Sequence, residues 1–134
     1  MSLNKTLCDL SARLRNGQNS RKLEIYLKRS KVCLNVLNIL KEQGYIRGYI
    51  VETEKIRVLL KYMSDKPVIT DVNITPYKLY STYISVNTLK NLTRKLKKTN
   101  KGLGLFILST PKGILSDYQC ILKNTGGQLL LKIV

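Results

Sequence analysis

Five consecutive residues, Ser109, Thr110, Pro111, Lys112 and Gly113, join two hydroxyls, a rigid turn residue, a cation and a flexible glycine between an apolar stretch at 103–108 and Ile114-Leu115-Ser116-Asp117. Small hydroxyls donate and accept at short range, and glycine lets the backbone approach a flat polar surface, so such a loop suits phosphate and sugar oxygens. A second cluster, Lys90, Arg94, Lys95, Lys97, Lys98 and Lys101, has no acid near it in sequence and reads either as a polyanion contact or as a disordered basic loop. Arg13, Arg15 and Asn16 form a smaller basic group, read either as a hydrated helix face or as a phosphate contact. With 24 Lys and Arg against 8 Asp and Glu the formal charge is +16, which points to a polyanion and, with this loop, to a nucleic acid.

Other chemistries are poorly provided for. The chain contains no histidine, the commonest general base and metal ligand. Cys8, Cys33 and Cys120 are too far apart for a redox pair or a zinc site, and they are expected to be buried or half-buried free thiols. Neither metal nor cofactor is expected. Gly102-Leu103-Gly104 lacks the spacing of a dinucleotide or P-loop fingerprint, which leaves a phosphate-cradling enzyme as a weak alternative. A DNA-binding module is favoured by charge alone. No apolar run approaches the roughly 20 residues that span a bilayer, so no membrane partner is expected. The amino terminus lacks the zones of a secretory signal.

The elements that must hold these groups follow from periodicity. Leu3, Leu7, Leu10 and Leu14 predict a helix ending near Asn16-Gly17. Leu23, Ile25 and Leu27 alternate as in a half-buried strand. Ser30 caps a second helix over 31–43, with Val32, Val36, Leu37 and Leu40 inward and Gly44 as its left-handed terminator. Residues 45–51 and an alternating run through Ile56, Val58, Leu60 and Tyr62 form two strands around a turn at Glu52-Thr53-Glu54. Asp65-Lys66-Pro67 breaks the pattern, 68–74 is strand-like, and Thr75-Pro76-Tyr77 punctuates again, which places a domain junction after residue 74. Beyond it, 79–86 looks extended, and Leu89, Leu92 and Leu96 have helical spacing within the basic segment. A strand at 103–108, the hydroxyl loop, a short helix capped by Ser116 or Asp117, the sequence Asn124-Thr125-Gly126-Gly127 and a last strand at 128–134 complete the chain. The expected fold is α/β (α+β) in two small domains. Residues 1–74 run α-β-α-β-β, and 75–134 are mostly β with short helices.

The order of these elements coincides with literal motifs. Arg13-Leu14-Arg15-Asn16-Gly17-Gln18, Leu40-Lys41-Glu42-Gln43-Gly44-Tyr45-Ile46, Gly102-Leu103-Gly104, Ser109-Thr110-Pro111-Lys112-Gly113 and Gly126-Gly127 stand in the order and spacing of bacterial-type small-subunit ribosomal protein S8, which the chain resembles over essentially its full length. The resemblance implies a non-enzymatic structural protein and primary rRNA binder that docks on a central-domain rRNA helix and supports subunit assembly and translation. Its partners would be small-subunit rRNA and neighbouring small-subunit ribosomal proteins, with no small-molecule substrate. It implies that 75–134 is the main rRNA-binding domain, with RNA contact by Ser109, Thr110, Pro111, Lys112 and Gly113, and further contact by Tyr83, Gly126, Gly127, Arg13, Arg15 and Asn16. Tyr83 could stack on RNA or be an ordinary buried strand tyrosine.

Three features depart from the family pattern. Pro111 replaces a position that is often a small hydroxyl, Gln128 follows the double glycine where Glu is usual, and the stretch between Tyr83 and Gly102 is longer and more basic. With a composition rich in Lys, Asn, Ile, Leu and Tyr and a start at the family's own amino terminus, these features favour a mitochondrial ribosome, in an organelle-encoded form, over a bacterial cytoplasmic or plastid one.

Overall fold

The computed structural model describes residues 2–74, 83–99 and 103–134, and the chain divides into two compact units, Met1–Val72 and Asn73–Val134. Thr75-Pro76-Tyr77, most of the extended stretch expected at 79–86, Lys101 and Gly102 lie outside the described residues.

The first unit contains α1 (Ser2–Asn19), β1 (Glu24–Lys28), α2 (Lys31–Glu42), β2 (Ile46–Val51), β3 (Lys55–Leu60), β4 (Tyr62–Met63) and β5 (Lys66–Pro67). Three of its strands form an antiparallel sheet in the order β1-β3-β2. Leu7, Leu10 and Leu14 are fully buried, as are Val36, Leu37 and Leu40 of α2 and Ile56 and Val58 of β3. Ser30 caps α2 by accepting from the Cys33 amide at 3.1 Å, and Gly44 takes φ +80° just beyond it.

Several elements differ from the expectation. α1 does not stop at Asn16-Gly17 but continues to Asn19. A Cβ on Gly17 would lie 2.5 Å from Ile25 Cγ2, so this glycine is a point of close approach inside the helix rather than its terminator. Gln18 is buried in the added turn, and its Oε1 accepts the Ile69 amide at 3.1 Å. Leu23 precedes β1 and is exposed, and Val32 is only half-buried while Cys33 and Ile39 join the core. Lys66-Pro67 does not break the chain's pairing. It closes a hairpin with Tyr62–Met63 around Ser64 and Asp65, whose φ values of +53° and +64° are those of a tight primed turn. The strand expected at 68–74 shrinks to β6 (Val72–Ile74), because the Ile69 amide is taken by the Gln18 side chain and not by a neighbouring strand. Cys8 is exposed, unlike Cys33 and Cys120, because it falls off the Leu7, Leu10 and Leu14 stripe of α1.

In the second unit follow β7 (Tyr83–Ile84), α3 (Val86–Thr99), β8 (Leu105–Thr110), β9 (Gly113–Ser116), α4 (Asp117–Leu122) and β10 (Gly127–Ile133). The sheet has the order β6-β10-β8-β9, with β7 also paired to β10. The basic segment is a helix where described, begun by Ser85, whose Oγ accepts the Thr88 amide at 3.3 Å. Leu89 and Leu96 of α3, with Leu92 partly buried, cluster with Ile84, Phe106, Leu108, Leu115, Cys120 and Leu129, so one sheet face is covered by α3 and α4. Of the two candidates Ser116 and Asp117, Ser116 caps α4, in a reciprocal box with Gln119. The fold is mixed α/β, α-β-α-β-β with the added β4–β5 hairpin first and mostly β with short helices second.

Candidate nucleic-acid interface

Ser109 and Thr110 are not loop residues. β8 runs on to Thr110, and its pairs Ser109 with Ile114 and Thr110 with Gly113 leave only Pro111-Lys112 as the turn of a β8–β9 hairpin. A two-residue hairpin turn usually needs positive φ at its first central residue, which proline cannot supply. Here Gly113, at φ +112°, carries the positive angle and returns the chain to β9. The Thr110 hydroxyl braces this geometry, donating to the Gly113 carbonyl at 2.7 Å and accepting the Lys112 amide at 3.1 Å. Its only proton and one lone pair are therefore used internally. Ser109 Oγ has no hydrogen-bond partner among the described residues and is half-buried, so it is the hydroxyl this hairpin can offer a ligand. Pro111 and Lys112 are exposed at the tip.

Gly126 and Gly127 are buried and act as spacers. A Cβ on Gly126 would lie 2.2 Å from the Ile84 carbonyl oxygen and 3.0 Å from Tyr83 Cε1, and one on Gly127 would lie 2.3 Å from the Ser109 carbonyl oxygen and 2.8 Å from Thr110 Cγ2. Two strands can therefore close on β10 from either side only where side chains are absent. The result is a row across three strands, since Gln128 pairs with Ser109 on one side and with Tyr83 on the other. Directly opposed residues share a face, and neighbours along a strand alternate, so Ser109, Gln128 and Tyr83 lie opposite the face of Leu108 and Leu129. Tyr83 is 62% exposed, which removes the buried-tyrosine alternative. Gln128 was not among the sequence-predicted site residues. Strand alternation from Gly127 is the signal that locates it.

This row offers a hydroxyl, an amide with both donors and an acceptor, and an aromatic face, with the Lys112 cation at the end of the hairpin. The unit around it is almost uniformly cationic. Ten of the 24 Lys and Arg residues but only one of the eight acidic ones, Asp117, lie beyond residue 72. Asp117 is itself buried and engaged, accepting from Thr93 Oγ1 at 3.1 Å and from the Tyr118 amide at 2.7 Å.

Arg13, Arg15 and Asn16 belong to the first unit. Arg13 pairs with Asp9 at 3.0 Å and reaches the Tyr26 carbonyl at 3.3 Å. With Asn16, Lys22, Glu24 and Tyr26 it lines a groove of about 700 Å³ between α1 and β1. Arg15 is tied to Asp71 at 3.1 Å and to the Val72 carbonyl, so its guanidinium already has partners. Asn16 is exposed.

No group of three or more potential metal ligands occurs among the described residues. Burial raises the Cys33 thiol pKa, and it raises that of Cys120 to about 11 with help from Asp117, so both stay protonated and unreactive at neutral pH. Among the described residues no helix is long and apolar enough to cross a membrane.

Comparison with known proteins places the chain in a family. The profile of the family described as ribosomal protein S8 matches residues 5–134. The chain is 39% identical over 118 positions to small ribosomal subunit protein uS8m of Acanthamoeba castellanii, covering 87% of this chain and 89% of that protein. It is 37% identical over 138 aligned positions to uS8 of Rhodospirillum centenum, and 38% identical over 138 to uS8 of Rhodopseudomonas palustris (strain BisA53), each covering 99% of both chains. A match spanning both units, at this identity and coverage, makes the chain a member of the ribosomal protein S8 family.

Proposed function

We propose that the chain is a structural, non-enzymatic constituent of a small ribosomal subunit that binds rRNA chiefly through the second unit and, by docking on a central-domain helix, supports subunit assembly. The observation that carries this reading is the row of Ser109, Gln128 and Tyr83, set in a unit whose one acidic side chain is buried and engaged. A-form RNA hides its major groove, so proteins recognise it through 2′-hydroxyls, the shallow groove and unstacked bases at irregular sites. A hydroxyl and an amide suit sugar and base edges, and an exposed ring suits an unstacked base. Lys112 is the electrostatic anchor, and Pro111, Thr110 and Gly113 fix where it points. Gly126 and Gly127 contribute by letting the strands close, and any RNA contact they make is through backbone. Arg13 and Asn16 supply a lesser contact from the first unit, while Arg15 serves its own unit first.

The relatives are named as small ribosomal subunit proteins, which supports ribosomal RNA and adjoining ribosomal proteins as the partners. A mitochondrial ribosome is the preferred location, supported by the similarity to a mitochondrial uS8m, and bacterial relatives of comparable identity keep a bacterial ribosome as the second reading.

The test compares two RNAs at fixed salt. The full chain is expected to bind a short rRNA helix with an asymmetric internal core at least ten-fold more tightly than a perfectly paired duplex, and equal affinity for both contradicts the reading. Ser109→Ala is expected to weaken that preference about five- to ten-fold, the loss of one or two kcal/mol from one polar contact. Its dependence on salt should be unchanged.

A further inference from the structure

We propose that the outward face of α3 is a second RNA-backbone contact, separate from the Ser109 face, which lets the second unit hold two RNA segments at once. The partner class rests on the RNA-binding reading above. The location rests on the helix itself.

α3 turns Leu89 and Leu96 into the core and sets Lys90, Arg94, Lys97 and Lys98 outside, all four exposed. At 100° per residue Lys90, Arg94 and Lys98 advance by only 40° per step, and Lys97 stands beside them. Eight residues at 1.5 Å each make a stripe about 12 Å long, enough to follow successive phosphates of one strand. Lys95 extends the charge sideways to Lys132 of β10 across a groove of about 230 Å³ floored by Leu96 and Phe106. None of these six cations is in an ion pair with a described residue, and α3 contains no acid.

Two features of this face fix the occupant. A protein interface is built on buried apolar or aromatic anchors and is depleted of lysine at its centre. The outward face of α3 carries only Lys, Arg, Asn and Thr side chains, with no large exposed hydrophobic residue. That composition fits a sequence-independent hold on phosphates. Secondly, α3 covers the sheet face of Leu108 and Leu129, while Ser109 and Gln128 lie on the other face, so the sheet and the helix's own width of about 10–12 Å separate the two surfaces. One segment lying flat on the Ser109 row does not reach the stripe.

The experiment uses the full chain saturated with the asymmetric-core rRNA helix and titrated with a fluorescently labelled, perfectly paired RNA duplex across a salt series. A ternary complex is expected. The Lys90→Gln, Arg94→Gln, Lys97→Gln, Lys98→Gln variant should reduce the slope of log affinity for the duplex against log salt by about 3 to 4. Its affinity for the asymmetric-core helix should keep the wild-type preference. The milder pair Arg94→Gln with Lys98→Gln should reduce the slope by about 2, which guards against a folding defect in the larger variant. Ser109→Ala should leave duplex binding unchanged, so loss of preference for the asymmetric helix speaks against the Ser109 site and not against this one. Mutually exclusive binding of the two RNAs, or wild-type duplex binding by both α3 variants, overturns the proposal. So does displacement of the duplex by poly-glutamate at equal charge and concentration, which would assign the face to an acidic protein.

Discussion

The two units of this chain use charge in opposite ways. Through residue 72 the sequence has fourteen cations and seven acids, and the described ion pairs all fall there: Asp9 with Arg13, Arg15 with Asp71, and Arg57 with Glu24 and Glu52. Beyond residue 72 ten cations face one acid, and that acid is buried against Thr93. Exposed ion pairs contribute at most about 1 kcal/mol each, so those of the first unit do little for stability and neutralise only part of its surface. Among the described residues the cations of the second unit form no ion pair, a cost in self-repulsion that a polyanion removes. The first unit is thus suited to be scaffold, and the second to be an electrostatic clamp.

The sharpest way to break this comparison is at the glycines that set close approach in each unit. Gly126→Ala drives a Cβ into the Ile84 backbone carbonyl, which cannot swing away, and should cost about 3 kcal/mol or more in urea unfolding. Gly17→Ala meets a side-chain methyl, Ile25 Cγ2, rather than backbone and gains up to about 1 kcal/mol of helix propensity, so its net cost should stay below that of Gly126→Ala. Equal costs would mean that the strand convergence around Ser109 and Tyr83 is not rigid. Next in size, Asp117→Ala should lose about 1–3 kcal/mol of stability in the same assay, because it frees Thr93 and the start of α4. Its counterpart Asp9→Ala, at the exposed pair with Arg13, should lose under about 1 kcal/mol.

A smaller effect follows from Cys120. Its folded pKa, about 11, is raised above the ordinary 9.0, so the thiol favours folding fully below pH 9. Between pH 9 and 11 the unfolded chain ionises first, and that stability is lost as pH rises. Stability against pH should therefore fall more gently for Cys120→Ala than for the wild type in this window, and parallel curves would refute the assignment. The smallest effect concerns Lys112→Ala, which should lower the salt slope of binding to the asymmetric-core helix by about 0.9, one phosphate's worth.

Local chemistry was legible in the sequence wherever it was self-contained. Ser30, Gly44 and the cap at Ser116, one of two residues the sequence offered for it, each act within a few residues. Long-range commitments were not legible. Ser109-Thr110 reads as loop because both residues are polar, and only pairing with Gln128 and Ile114 makes them strand. Gly17 reads as a terminator until Ile25 is seen against it, and Arg15 reads as a free cation until Asp71, 56 residues away, is found beside it. In the candidate site the motif residues were visible, but their division of labour was not. Thr110 and the two glycines build the surface, and Ser109, Gln128 and Tyr83 present it.

The most direct test of the central assignment is NMR mapping of the full chain titrated with the asymmetric-core rRNA helix. The account predicts that the largest shifts fall on the Ser109 and Lys112 amides, the Gln128 side-chain amide and the Tyr83 ring. Shifts confined to α1 or α3, with Ser109, Gln128 and Tyr83 unmoved, would contradict it.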